Sequence, residues 1–276
     1  MRRFRISIVV LLVVSIGLFG FTKIKLKITS QNQPPVIALQ EGEDKVLSIS
    51  TSATESDLMR GITATDPEDG DLTDDIMVER ISALTDEHTC NISYAVFDSQ
   101  GKAGSFTRTM KYLDYVSPKI DLKEPLVCYI GQSTTTVSSK ITATDCIDGD
   151  ITDKIQILTS TIDIRLEGIY SVTVQVKNSL EDSTTLTLPV VEQRTSSSAP
   201  KINLSKALVY LKQGDSFDPQ SYIASVEDAK GNAMGLDSVE IYSEDVDMQK
   251  PGTYTVTYVA GEGSQTYTVC LAVVVE

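Results

Sequence analysis

The sequence has no tryptophan and one histidine, His88, and only 6% of its 276 residues are aromatic. A single histidine excludes zinc sites built on histidine pairs, serine–histidine–aspartate triads and histidine-lined cofactor pockets. Cations are scarce as well, 24 against 38 acids, for a net charge of −14. Six of them, Arg2, Arg3, Arg5, Lys23, Lys25 and Lys27, fall in the first 27 residues, where there is no acid, so the rest of the chain carries −20. A body that acidic repels phosphate backbones, and no nucleic-acid partner is expected. What remains, 41% hydrophobic and 22% charged residues, is an ordinary globular composition.

Residues 1–5 form a basic tail, and Ile6 to Phe21 carries no charge. At about 1.5 Å per residue, a helix of that length falls slightly short of a hydrocarbon core, and Thr22 with the aliphatic stems of Lys23 and Lys25 extends it. Segment 6–22 is therefore read as a transmembrane signal-anchor behind a cytoplasmic tail, and residues 23–33 as a juxtamembrane stalk. The alternative is a cleaved signal peptide, but Ser15-Ile16-Gly17, the best cleavage site, lies inside the apolar run. The expected location is the cell membrane, single-pass, with the N-terminus cytoplasmic and the body extracellular. If the segment is cleaved, the body is secreted.

The body repeats itself. Pro35-Val36-Ile37-Ala38-Leu39 returns as Pro118-Lys119-Ile120-Asp121-Leu122 and as Pro200-Lys201-Ile202-Asn203-Leu204, at spacings of 83 and 82. Most positions of the stretch from Ile62 to Ile76, Ile-Thr-Ala-Thr-Asp-Pro-Glu-Asp-Gly-Asp-Leu-Thr-Asp-Asp-Ile, are identical in the stretch from Ile141 to Ile155. In the third copy that motif has decayed to Ile223-Ala-Ser-Val-Glu-Asp-Ala-Lys-Gly-Asn232. Near the end of each copy apolar and polar residues alternate strictly: Cys90, Ile92, Tyr94 and Val96; Tyr170, Val172, Val174 and Val176; Tyr254, Val256, Tyr258 and Ala260. Period two means one buried and one solvated face, the mark of an antiparallel strand. No window of the body sustains a helical period. Gly168-Ile-Tyr170 and Gly252-Thr-Tyr254 open their strands as a tyrosine corner does, whereas the first copy has Cys90 in that place. The expected fold is all-β: three tandem immunoglobulin-like β-sandwich domains after an N-terminal transmembrane helix. They span residues 34–115, 116–192 and, after a linker at 193–199, a divergent 200–276.

An Asp-x-x-Asp-Gly-Asp-[Leu/Ile]-Thr stretch, a later Gly-x-Tyr-x-Val strand and a closing strand together resemble the bacterial immunoglobulin-like surface repeats. These include the DUF5011 type and the immunoglobulin-like domain of pesticidal crystal proteins. The resemblance covers roughly residues 34–276 and is weakest in the third copy. It implies a fold and an extracellular setting, and it implies no enzyme.

Two sets of residues invite chemistry. Asp66, Asp69, Asp71 and Asp74 are spaced as Asp145, Asp148, Asp150 and Asp153 are. Clustered carboxylates suit a hard cation such as calcium, which takes six to eight oxygens, although the spacing is not that of an EF-hand. The competing reading, and the expected one, is a tight Asp-Gly turn whose carboxylates accept from nearby backbone N–H groups, with no cofactor. Cysteines are the second set. Cys90 and Cys270 lie in apolar strand patterns and are expected as buried thiols, while Cys128 and Cys146 are the one pair within a repeat that a disulfide can join. The chain is thus expected to be a non-enzymatic, membrane-anchored bacterial surface protein, a stalk or adhesion module with an extracellular protein or glycan partner. The alternative is an extracellular carbohydrate- or peptide-binding module.

Overall fold

The computed structural model describes residues 33–85, 87–131 and 135–276. The basic tail, the apolar segment and all of the stalk but residue 33 lie outside them. Among the described residues no helix is long and apolar enough to cross a membrane. The chain divides into two compact units, one ending at Asp114 and the other spanning Tyr115–Glu276.

In the first unit, β1 (Val36–Leu39), β3 (Ile62–Asp66) and β4 (Gly70–Asp71) make a three-stranded sheet in the order β1-β3-β4. The facing sheet runs β2-β7-β6-β5, from β2 (Val46–Ile49), β5 (Met77–Ile81), β6 (Thr89–Phe97) and β7 (Ala103–Tyr112). The strand β2 lies parallel to β7, and the other pairs are antiparallel. The alternation read from the sequence is realised: Cys90, Ile92, Tyr94 and Val96 are all buried. The Tyr94 hydroxyl crosses the core to the Leu58 carbonyl at 2.6 Å. Leu58 ends a four-residue helix, Glu55–Leu58, in a stretch where the sequence shows no helical period.

A close approach fixes β1 against β7. A Cβ on Gly104 would sit 2.0 Å from the Pro35 carbonyl oxygen, so only glycine fits there. In the second repeat Thr184 occupies the matching place, and its hydroxyl donates to the Pro118 carbonyl. Gly104→Ala is therefore expected to cost about 1–3 kcal/mol. In a unit of this size that lowers the melting midpoint by roughly 4 °C or more, which calorimetry on the full chain reads directly.

The second unit holds two such sandwiches. The first uses β8 (Lys119–Leu122), β9 (Val127–Tyr129), β10 (Ile141–Asp145), β11 (Gly149–Asp150), β12 (Gln156–Ser160), β13 (Gly168–Lys177) and β14 (Ser183–Gln193), in sheets β11-β10-β8 and β12-β13-β14-β9. The other uses β15 (Lys201–Leu204), β16 (Leu208–Leu211), β17 (Ile223–Glu227), β18 (Val239–Tyr242), β19 (Gly252–Ala260) and β20 (Tyr267–Val275), in sheets β15-β17 and β16-β20-β19-β18. The strand β14 takes in Gln193, the first residue of the stretch read as a linker.

Both tyrosine corners form. Tyr170 donates to the Leu166 carbonyl at 3.1 Å and Tyr254 to the Lys250 carbonyl at 2.8 Å, and each ring lies over the glycine that opens its strand.

The two sandwiches also share apolar surface. Along β14 and β20 burial stops alternating and becomes continuous. Leu188 and Val190 face their own core, and Leu271 and Val273 face theirs. Ala207, Leu208, Ala272 and Val274 of the last repeat join the core cluster of the one before it. Tyr210 adds a hydrogen bond to the Ile120 carbonyl at 2.7 Å.

Candidate functional site

The acidic loops lie where β3 turns into β4 and β10 into β11, around Gly70 and Gly149, whose φ angles of +82° and +73° favour glycine. In the first loop Asp66 Oδ1 accepts from the N–H groups of Glu68 and Asp69 at 2.8 and 2.9 Å. In the second, Asp145 Oδ1 accepts from Ile147 and Asp148, both at 2.8 Å. Asp71 and Asp150 accept from the N–H groups of Thr73 and Thr152 at 3.0 Å, and those hydroxyls accept from the N–H groups of Ala64 and Ala143. Asp74 and Asp153 are exposed, on the one-turn helices Thr73–Asp75 and Thr152–Lys154.

The remaining aspartates tie each loop to the hairpin of the facing sheet. Asp69 accepts from Ser99 N–H at 2.7 Å and Ser99 Oγ at 2.9 Å. Asp148 does the same with Ser179, both at 2.7 Å, and also accepts from Lys154 Nζ at 2.7 Å. Behind this clamp in the second repeat, Asn178 Nδ2 donates to Asp145 Oδ2 at 3.1 Å and to Tyr115 Oη at 2.8 Å, and Tyr115 donates to Asp182 at 2.7 Å. The sequence analysis overlooked Ser99, Asn178, Ser179 and Tyr115. Their signal is the recurrence of Asp98-Ser99 as Asn178-Ser179 after the alternating strand.

Hydrogen bonds from Thr73 and Thr152 hold Asp71 and Asp150 below the usual carboxylate range. Burial pushes Asp148 up, but the bonds from Lys154 and Ser179 outweigh it and leave it lowered. A lowered folded-state pKa contributes stability above about pH 4, and that stability is lost as the pH falls through the lowered value. Among the described residues no three acidic, histidine or cysteine side chains converge as ion ligands.

None of the four cysteines is in a disulfide. Burial pushes Cys90 and Cys270 up to about 11. The bridge considered between Cys128 and Cys146 is not formed. Cys128 pairs with Glu192 near the end of β14, whereas Cys146 follows Asp145, which meets Asn178 before β14 begins. At about 3.3 Å per residue the two ends of that strand are roughly 30 Å apart, against the ~7 Å limit between bridged Cα atoms. Cys146 is exposed, and its thiol donates to the Val116 carbonyl at 3.1 Å.

A groove opens in the second unit, lined by residues of the four-stranded sheets of both sandwiches. Ile169 and Val191 line one wall, and Tyr242, Thr257 and Val259 the other. Its volume is about 870 Å³. Ile169 and Tyr242 remain half exposed, at 50% and 48%.

Residues 208–270 match the family model of the bacterial Ig-like domain (group 3). Over 119 residues, 42% of this chain, the sequence is 37% identical to pesticidal crystal protein Cry22Aa of Bacillus thuringiensis, and the match spans 16% of that protein's length. Among solved structures, Drosophila N-cadherin EC1-3 aligns at 12% identity over 89% of this chain and 90% of that one, with a TM-score of 0.28. The CBM51-2 and INT domains of Clostridium perfringens ZmpB, solved with GlcNAc, align at 17% identity over 88% of this chain and 42% of that one, with a TM-score of 0.23. Neither structural likeness is close enough to carry an argument. The family likeness rests on sequence, and it places a region similar to the group 3 bacterial Ig-like domain at residues 208–270 of the third repeat.

Proposed function

We propose that this chain is a non-enzymatic interaction protein displayed on the outside of a bacterial cell. Segment 6–22 holds it in the membrane, and the repeats serve as a stalk or adhesion module. One observation carries the reading: the acidic loops, the residues most suggestive of chemistry, form bonds that brace the repeats. Support also comes from the strand order that recurs along the chain, from the likeness of residues 208–270 to a bacterial Ig-like domain, and from the −20 charge of the body.

The exposed thiol offers a direct test. A membrane-impermeant maleimide applied to intact cells is expected to label the wild-type chain and to leave Cys146→Ser unlabelled, since Cys90, Cys128 and Cys270 are buried. After carbonate extraction the labelled chain is expected in the membrane pellet. Labelling only after lysis would overturn display on the outside, and recovery in the medium would overturn the anchor.

A further inference from the structure

The first two repeats differ at one buried contact. In the second, Asn178 Nδ2 donates to Asp145 Oδ2 at 3.1 Å. In the first, Asp98 stands where Asn178 does, and Asp66 where Asp145 does. Both ends of the contact are held alike in the two repeats. Asp98 Oδ1 accepts from the N–H groups of Gln100 and Lys102 at 2.9 and 2.7 Å, as Asn178 Oδ1 accepts from those of Leu180 and Asp182, both at 3.0 Å. Asp66 Oδ1 takes the N–H groups of its own turn as Asp145 Oδ1 does. The place of the Asn178 amide nitrogen therefore falls to the second oxygen of Asp98, turned toward Asp66 Oδ2.

Asp66 Oδ2 is buried with no hydrogen-bond partner, and the two side chains are only 5% and 7% exposed. Two carboxylates so placed set like charges side by side out of water, and each disfavours ionisation of the other. A proton on either one turns an acceptor into a donor and restores the contact that the amide makes in the second repeat. The other charges around the pair are Glu68, Asp69 and Asp71 on its own turn, Asp74 and Asp75 on the one-turn helix after it, and Lys102 on the facing hairpin. All six are exposed. The neighbouring strands β1 and β6 carry no charge, and Arg108, the buried cation of β7, is turned to the Arg60 and Asp44 carbonyls.

We propose that Asp66 and Asp98 share one proton in the folded first repeat, which makes this unit loosen as the medium turns from mildly acidic to alkaline. The unfolded chain, whose aspartates ionise near pH 4, gives that proton up, so the folded state binds one proton more and stability falls as the pH rises. The fall begins above about pH 4 and ends where the pair itself ionises. Within that window the folding constant drops about tenfold per pH unit. Asp57, Asp71 and Asp114 of the same unit, held low by hydrogen bonds, act with the opposite sign and below about pH 4, so they leave the window clear. The device is separate from display on the cell surface and does not rest on it.

The test is calorimetry of the full chain from pH 5 to pH 8 at one ionic strength, on the wild type, Asp98→Asn and Asn178→Asp. The wild-type first unit is expected to lose roughly 5–10 °C of melting midpoint per pH unit until the pair ionises. Asp98→Asn, which gives the first repeat the amide of the second, is expected to remove that loss and to raise the midpoint at pH 8. It leaves His88 in place, so the difference between the two profiles belongs to the pair. Asn178→Asp is expected to make the midpoint of the second unit fall more steeply with pH than in the wild type. At pH 6 the infrared difference between the wild type and Asp98→Asn is expected to show the band of one protonated carboxyl group. Parallel first-unit profiles in the wild type and Asp98→Asn, a difference spectrum without that band, or a second unit in Asn178→Asp no steeper than in the wild type would each overturn the inference. So would a calcium-dependent midpoint of the first unit at pH 8 that Asp98→Asn abolishes, since a cation would then hold the proton's place.

Discussion

Asp145→Ala is expected to lower the melting midpoint of the second unit by roughly 6–12 °C. The side chain is 8% exposed and serves three donors: Oδ1 takes the N–H groups of Ile147 and Asp148, and Oδ2 takes Asn178. Alanine supplies no acceptor, and the Asn178 amide keeps only the Tyr115 hydroxyl as a partner for its Nδ2. Each orphaned buried donor costs about 1–3 kcal/mol, and in a connected network the losses reinforce one another. A total of about 3 kcal/mol is a restrained sum, and a unit of this size moves by about 2–4 °C per kcal/mol. The exposed Asp153 is the control, and Asp153→Ala should stay within about 0.5 kcal/mol of the wild type. Calorimetry of both variants settles the comparison. Equal midpoints would mean that the loop does not brace the repeat.

Tyr258→Ala should have an effect at least as large, about 3–5 kcal/mol. The ring is fully buried in the core of the last repeat, among Val256, Val269 and Leu271. Its hydroxyl donates to the Pro219 carbonyl at 2.8 Å. Removing the ring opens a cavity that the surrounding β-strands fill only in part. Tyr258→Phe separates the two contributions: it keeps the ring, loses only the hydrogen bond, and should cost about 1 kcal/mol. If the two variants melted together, the packing argument for this core would be wrong.

The strands were legible because each sandwich writes one face in period two. Val172, Val174 and Val176 are buried as the alternation requires, and the Asp-Gly turns at Gly70 and Gly149 form where the dipeptides stand. The tyrosine corners were legible for the same local reason. What escaped was non-local. Arg108 occupies an inward position of β7 and stays buried because its guanidinium donates to the Arg60 and Asp44 carbonyls, partners 48 and 64 residues away. The shared surface of the last two repeats was written, but in another pattern. Leu188 to Val191 and Val269 to Val275 break the alternation, and a strand apolar on both faces is one that is covered on both faces. The clamp of Asp69 on Ser99 and of Asp148 on Ser179 spans 30 and 31 residues. No spacing rule joins such residues, although the recurrence of the dipeptide in the hairpin marks them.

The account's central claim is that the paired acidic loops are braces, in which Asp69, Asp71, Asp145, Asp148 and Asp150 and one oxygen of Asp66 take up the protein's own donors. The most direct test is the melting of the full chain in calcium and in chelator, at one ionic strength so that general screening is held constant. An ion bound at a hundred times its Kd would add about 2.7 kcal/mol to the unit that holds it. That corresponds to a rise of roughly 5–20 °C, depending on the size of the unit. The account predicts that neither transition moves between the two conditions. A calcium-specific rise of more than a few degrees in either transition, abolished by Asp69→Ala in the first unit or Asp148→Ala in the second, would contradict it.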